Sequence, residues 1–251
     1  MRLFNAQALA FEEFYGDIPA YAILSHRWET EEVTFKDYTT QADPSNSSPM
    51  KGFQKIRYCI DQAKEDGLGY CWVDTCCIDQ SSSAELSEAI NSMYAWYGDS
   101  AVCYIYLADV SVAAPAWSLD VNDEERTMLH HQVAASQWFT RGWTLQELLA
   151  PRQRTFYNAS WSAIMDLKKP GKGGLSLRLY EPLKNTTGIS RDVLDEFSST
   201  SRSWSIARKM SWASQRQTTR IEDTAYSLMG IFDINMPLLY GESKKAAEEA
   251  S

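Results

Sequence analysis

The chain has 251 residues, of which 44% are hydrophobic, 12% aromatic and 23% charged, the proportions of a globular protein with a sizeable core rather than of a disordered or fibrous one. Thirty-three acidic against twenty-four basic side chains leave a net charge of −9, which repels phosphate backbones and anionic lipid and argues against general nucleic-acid binding. No window reaches the ~18 apolar residues of a membrane span, and residues 1–14 lack the basic start and unbroken apolar run of a signal peptide, so a cytoplasmic protein is expected.

In chain order, residues 21–25 (YAILS) form a short apolar run that predicts a strand, and residues 41–50, rich in Pro, Ser and Asn, predict an exposed loop. From Lys51 the apolar positions Phe53, Ile56, Ile60 and Ala63 recur at helical spacing, with Gly67 and Gly69 closing that helix. Residues 70–74 (YCWVD) read as a second buried strand. Ser82 with Glu85 matches a capping box ahead of a helix carrying Leu86, Ala89, Ile90, Met93 and Tyr97. Residues 102–107 (VCYIYL), β-branched and aromatic, predict a third strand. A charged insert at 120–131 follows, then a short helix at 144–150 stopped by Pro151 and a fourth strand at 154–157.

This alternation predicts an α/β fold with a flavodoxin-like parallel sheet and flanking helices, because parallel neighbours need helical crossovers. We expect the α/β core to span residues 1–161 and residues 162–251 to form a mostly helical C-terminal part. The five cysteines, Cys59, Cys71, Cys76, Cys77 and Cys103, are odd in number, contain no C-x-x-C pair and sit mostly in apolar runs, which predicts buried thiols rather than disulfides or a zinc site. His130 and His131 are adjacent instead of at ligand spacing, and no metal is expected.

Ligands of open parallel sheets bind beyond the carboxyl ends of the strands. The first strand delivers Ser25, His26, Arg27 and Trp28 to that rim; the second delivers Asp74 and the loop 75–80, with Asp79 and Gln80; the third delivers Asp109. Each has a local alternative: Asp74 can cap a turn, His26 can be a satisfied half-buried ring, and Asp109 can face water. Glu147 divides evenly. Thr144-x-x-Glu147 has capping-box spacing, whereas Arg141 and Trp143 beside it suit a nucleotide or sugar. Residues 198–220 hold Arg202, Arg208, Lys209, Arg216 and Arg220 without one acid, which fits either an anion such as a pyrophosphate or a solvated helix face. Thr219-x-x-Glu222 repeats the capping-box spacing.

Four blocks, residues 21–35 (YAILSHRWETEEVTF), 51–97, 141–151 (RGWTLQELLAP) and 218–242, together resemble the HET (heterokaryon incompatibility) domain of filamentous fungi, in the family's order. The family's glycine after YGE is Ser243 here, a departure that suggests either a boundary at this point or a missing C-terminal partner such as a nucleotide-binding oligomerisation module. The resemblance implies a cell-death effector of the innate-immunity kind, kept off until triggered and prone to self-association. HET domains are in turn remotely similar to TIR domains, whose enzymatic members hydrolyse NAD with one glutamate. The TIR pattern S-x-W-C-x-x-E-L is similar to residues 141–148, which implies Glu147 as the catalytic carboxylate, with Arg141 in place of the serine. On that resemblance the loop 76–85 gates the site and mediates assembly, Trp28 or Trp143 stacks on a base, and Arg27 or Arg141 faces the pyrophosphate. NAD is then a substrate and no cofactor is permanently bound. The competing readings are a non-catalytic interaction domain in which Glu147 is only a cap, and a redox protein using Cys76 and Cys77.

Overall fold

Hydrophobic runs too short for helices pair into one seven-stranded sheet: β1 (Arg2–Asn5), β2 (Ala10–Glu13), β3 (Tyr21–His26), β4 (Tyr70–Trp72), β5 (Val102–Tyr106), β6 (Arg154–Tyr157) and β7 (Ala163–Leu167). The computed structural model describes residues 1–40, 51–112, 122–167, 180–194 and 204–241, so the predicted loop at 41–50 lies outside the described residues. Strand order is β2-β1-β4-β3-β5-β6-β7. The inner four are parallel, with Ile23 opposite Trp72 and Cys103, and Ile105 opposite Phe156. Their order, second-first-third-fourth along the chain, is that of a flavodoxin-like doubly wound sheet, as predicted. All six residues of β3 are buried, which is why it reads as a continuous apolar run rather than an alternating one.

The helices are α1 (Phe35–Thr40), α2 (Lys51–Glu65), α3 (Asp74–Cys77), α4 (Ser83–Asp99), α5 (Asp123–Ala135), α6 (Thr144–Leu149), α7 (Tyr180–Thr187), α8 (Ile206–Ala213), α9 (Asp223–Tyr226) and α10 (Met229–Phe232). The second strand is shorter than predicted: it ends at Trp72, and Asp74 opens the single turn of α3. Half of the predicted Ser82 box forms. Ser82 accepts from the Glu85 amide, but the Glu85 carboxylate turns to Arg2, at 2.7 Å, and to the Asp79 amide. Most of the charged insert folds as α5, capped by Asn122 and buried through Leu129 and Val133. Beyond residue 161 the sheet continues, since β7 pairs antiparallel with β6. All five cysteines are buried and free.

Arg154 shows how the last parallel strand is tied to α6. It is 2% exposed, and its guanidinium donates to the Leu148 carbonyl at the end of α6 and to the Leu194 carbonyl. A cation there completes carbonyls that the helix end leaves without partners. Arg154→Met, which keeps the length but no donor, is expected to cost about 2–4 kcal/mol in urea unfolding, since buried carbonyls lose charged donors.

Candidate functional site

The chain runs from β3 to β4 on one side and returns to β5 on the other, so the topological switch point lies between the carboxyl ends of β3 and β5. There, inside the protein, sits Glu147 of α6. The helix is buried on every face, and the Glu147 carboxyl is 2% exposed, accepting from Ser25 Oγ at 2.5 Å. Ser25 in turn accepts from Trp138 Nε1 at 2.9 Å, which fixes its hydroxyl toward the carboxyl. Tyr97, whose hydroxyl donates to the Leu24 carbonyl at 3.1 Å, adjoins the same group. Burial, reinforced by the Asp74 charge, pushes the Glu147 carboxyl up to about 7, against the opposing pull of the Ser25 hydroxyl and Arg141.

Glu147 does not cap its helix. The Thr144 hydroxyl donates backward to the Trp138 and Arg141 carbonyls, and α6 has no side-chain cap. The Thr219-x-x-Glu222 box is also not formed: Glu222 accepts from the Gly241 amide instead.

A second acid, Asp74, lies close enough for its charge to act on Glu147. Its Oδ2 accepts from Trp28 Nε1 at 2.7 Å, and its Oδ1 lies 3.8 Å from His26 Nδ1. His26 Nε2 is 3.5 Å from Glu32, an ion-pair separation rather than a formed hydrogen bond, and neither ring nitrogen has a hydrogen-bond partner among the described residues. Burial alone would raise Glu32, but the His26 ring and the Lys55 ammonium, at 2.5 Å, outweigh it and hold the carboxyl down at about 2.

Two cavities open over these groups. One of about 270 Å³ is walled by Asp74 and Gln80 and by apolar Ile78, Leu86, Ile90 and Met93. The other, of about 380 Å³, is walled by Arg27, Gln137, Thr140, Gln217 and Thr218. Trp28, Arg141, Trp143, Thr219 and Asp223 face both. The Arg141 guanidinium lies 5.1 Å from the centre of the Trp28 ring, and Arg220, on the first cavity, lies 4.7 Å from that of Tyr240. Asp223 binds both Trp143 Nε1, at 3.2 Å, and the Tyr240 hydroxyl, at 2.9 Å. Glu147 borders neither cavity; it lies behind them, felt electrostatically by Asp74 and Arg141, which do.

A model of the heterokaryon incompatibility protein (HET) family matches residues 21–147, just over half of the chain. The chain belongs to the HET family. It is also similar to vegetative incompatibility protein HET-E-1 of Podospora anserina, 43% identical over 242 residues. That alignment covers 93% of this chain and 16% of the relative, so the chain spans only a small part of that protein's length. No solved structure gives a significant match.

Within this HET domain, Ser25, His26, Trp28, Asp74, Arg141, Trp143 and Glu147 are brought together at one rim, with Gln80 on the first cavity and Arg27 on the second. Asp79 stands apart and closes a turn, its carboxylate accepting from the Ser81 amide and hydroxyl. Asp109 is exposed, as its local alternative has it, and its carboxylate also anchors the 137–140 turn through Ser136 and the Gln137 amide. The basic stretch divides. Arg208 lies over Trp204 and Lys209 donates to the Ile231 carbonyl, whereas Arg216 donates to the Arg141 carbonyl and Thr144 Oγ1, and Arg220 reaches the cavity. Arg202 lies outside the described residues. Trp138, Asp223 and Tyr240 were not anticipated; Trp138 and Asp223 bond Ser25 and Trp143, residues 113 and 80 positions away, and no local pattern encodes such pairings. Cys76 is held well above the usual thiol range by its Cys77 neighbour and by burial, the opposite of an activated thiolate.

Proposed function

We propose that this HET domain is the killing module of a vegetative incompatibility protein and acts by hydrolysing NAD, self-associating as it does so. The observation that carries the reading is the buried Glu147 carboxyl, poised near neutrality at the switch point, directly behind a cavity wall of tryptophans, arginines and a second carboxylate.

The chemistry needs little else. The bond between the nicotinamide nitrogen and ribose C1′ breaks, the electron pair leaves with the ring, and nicotinamide departs neutral because the ring began as a cation. Water adds to the resulting oxocarbenium carbon and gives up a proton, leaving ADP-ribose. A carboxylate beside C1′ stabilises the developing positive charge. Burial favours the protonated form of the enclosed Glu147 at rest, and a nicotinamide cation arriving against it favours the ionised form. The enclosure suits an effector held off until triggered: Glu147 lines neither cavity, so on this reading the wall that Trp28, Asp74 and Arg141 form rearranges before substrate meets the carboxyl.

One observation favours a second reading, a non-catalytic cell-death scaffold: Glu147 lines neither of the two cavities. Purified domain, concentrated or artificially clustered, would be incubated with NAD. The hydrolase reading expects nicotinamide release, falling about 10²–10³-fold in Glu147→Gln. No release, or equal release from the variant, leaves the scaffold.

A further inference from the structure

Two features of the rim go unused in a site built for nicotinamide and ribose alone. The first is the second cavity, which is polar where the Asp74 cavity is largely apolar and shares with it the Trp28, Arg141 and Trp143 wall. The second is charge. Among the described residues Arg27, Arg141 and Arg220 form no ion pair with a carboxylate, although the protein carries nine more acids than bases. Arg141 and Arg220 are instead supported from one side by the faces of Trp28 and Tyr240. A guanidinium supported that way keeps its in-plane donors for a planar or forked anion.

Their placement is ordered. Arg27 lines the polar cavity, Arg220 the Asp74 cavity, and Arg141 both. We infer that the double cavity is a dinucleotide site in which the diphosphate lies across the Arg141 divide, the adenylate half in the polar cavity and the ribosyl half against Asp74. The Asp74 cavity alone falls below the ~300–1,000 Å³ of small-molecule sites and the polar one near its lower end, whereas the two joined fall well within it. The adenylate half is received by parts of the chain beyond the catalytic motif: the 137–140 turn and, bridged to it, residues 217–219 of the C-terminal segment. Residues 217–219 lie outside the stretch 21–147 that matches the HET family.

The inference rests on the NAD reading for the identity of the ligand, and a binding measurement separates the two. The domain is titrated calorimetrically with ADP-ribose, AMP and nicotinamide mononucleotide. Because both halves are linked through one anion, ADP-ribose is expected to bind at least about 100-fold more tightly than either mononucleotide. Thr140→Trp and Gln137→Trp, at exposed positions on the polar cavity, each fill it and are expected to weaken ADP-ribose at least about 10-fold. ADP-ribose binding no more tightly than the mononucleotides overturns the inference, as does unchanged affinity in both variants. If ADP-ribose binds as expected but NAD is not cleaved, the dinucleotide site stands and the hydrolase reading falls. If NAD is cleaved while the variants bind ADP-ribose as the parent does, the hydrolase stands and the double site falls.

Discussion

Glu147→Gln is expected to make the domain more stable at alkaline pH while removing its nicotinamide release. The folded protein holds this carboxyl at about 7, above the 4.5 of an unperturbed glutamate, chiefly through burial. A group raised in this way contributes its full share of stability below pH 4.5 and loses it as pH rises through 7, because the folded state then encloses a charge that the unfolded chain leaves in water. Each unit of displacement is worth about 1.4 kcal/mol, so the loss approaches about 3 kcal/mol by pH 9. Glutamine does not ionise, can accept from Ser25 as the carboxyl does, and keeps the volume. Thermal unfolding from pH 2 to 9 should therefore show a limb falling toward alkaline pH in the parent and none in the variant, several degrees apart at the alkaline end. Glu32 supplies an internal control. Held down at about 2 by His26 and Lys55 against the cost of burial, it contributes stability above pH 4.5 that is lost as pH falls through 2, so both proteins should share the same acid limb. Coincident alkaline limbs would show that Glu147 is ionised and compensated in the fold, and would remove the physical basis of its assignment.

Geometry explains why this residue could not be resolved from the sequence. Thr144-x-x-Glu147 has the spacing of a box, but a box needs its threonine outside the helix, and Thr144 is the first residue within it. What decides the matter is Ser25, 122 positions away. The inner strands were legible for the opposite reason: β3 and β5 are buried along nearly their whole length, and a doubly covered parallel strand writes itself as an unbroken apolar run. The β1–β2 hairpin escaped because its strands are four residues each and β2 buries no residue fully, which leaves no periodicity to read. Similarly, α5 buries only two positions behind a charged first turn, so its composition reads as an insert. Arg216 and Arg220 could be seen as a positive stretch. Their reach into the site depends on how the C-terminal segment folds back, and that is settled by one glycine.

Gly142→Ala is expected to loosen the C-terminal wall of both cavities. Residues 216–217 run alongside 140–142 as a short parallel bridge: the Gly142 amide donates to the Gln217 carbonyl at 2.8 Å, and the Gln217 amide to the Thr140 carbonyl at 2.6 Å. Such an approach leaves no room for a side chain. A Cβ on Gly142 would meet Thr218 Cγ2 at 2.6 Å and Ser227 Oγ at 3.2 Å. Thr218 is β-branched and its hydroxyl is held by the Arg220 carbonyl and Thr224, so turning it clear breaks those bonds and leaving it in place strains the bridge. The expected cost is about 1–3 kcal/mol, together with faster amide exchange at Gly142 and Gln217. Gly98→Ala is the matched comparison. It lies in α4, where a Cβ meets only the Ala150 carbonyl at 3.7 Å, and it should gain about 0.5–1 kcal/mol from the helix. If the two alanines change stability alike, the C-terminal segment is not held by this clasp. If Gly142→Ala alone destabilises and also weakens ADP-ribose, the segment is part of the site as well as its cover.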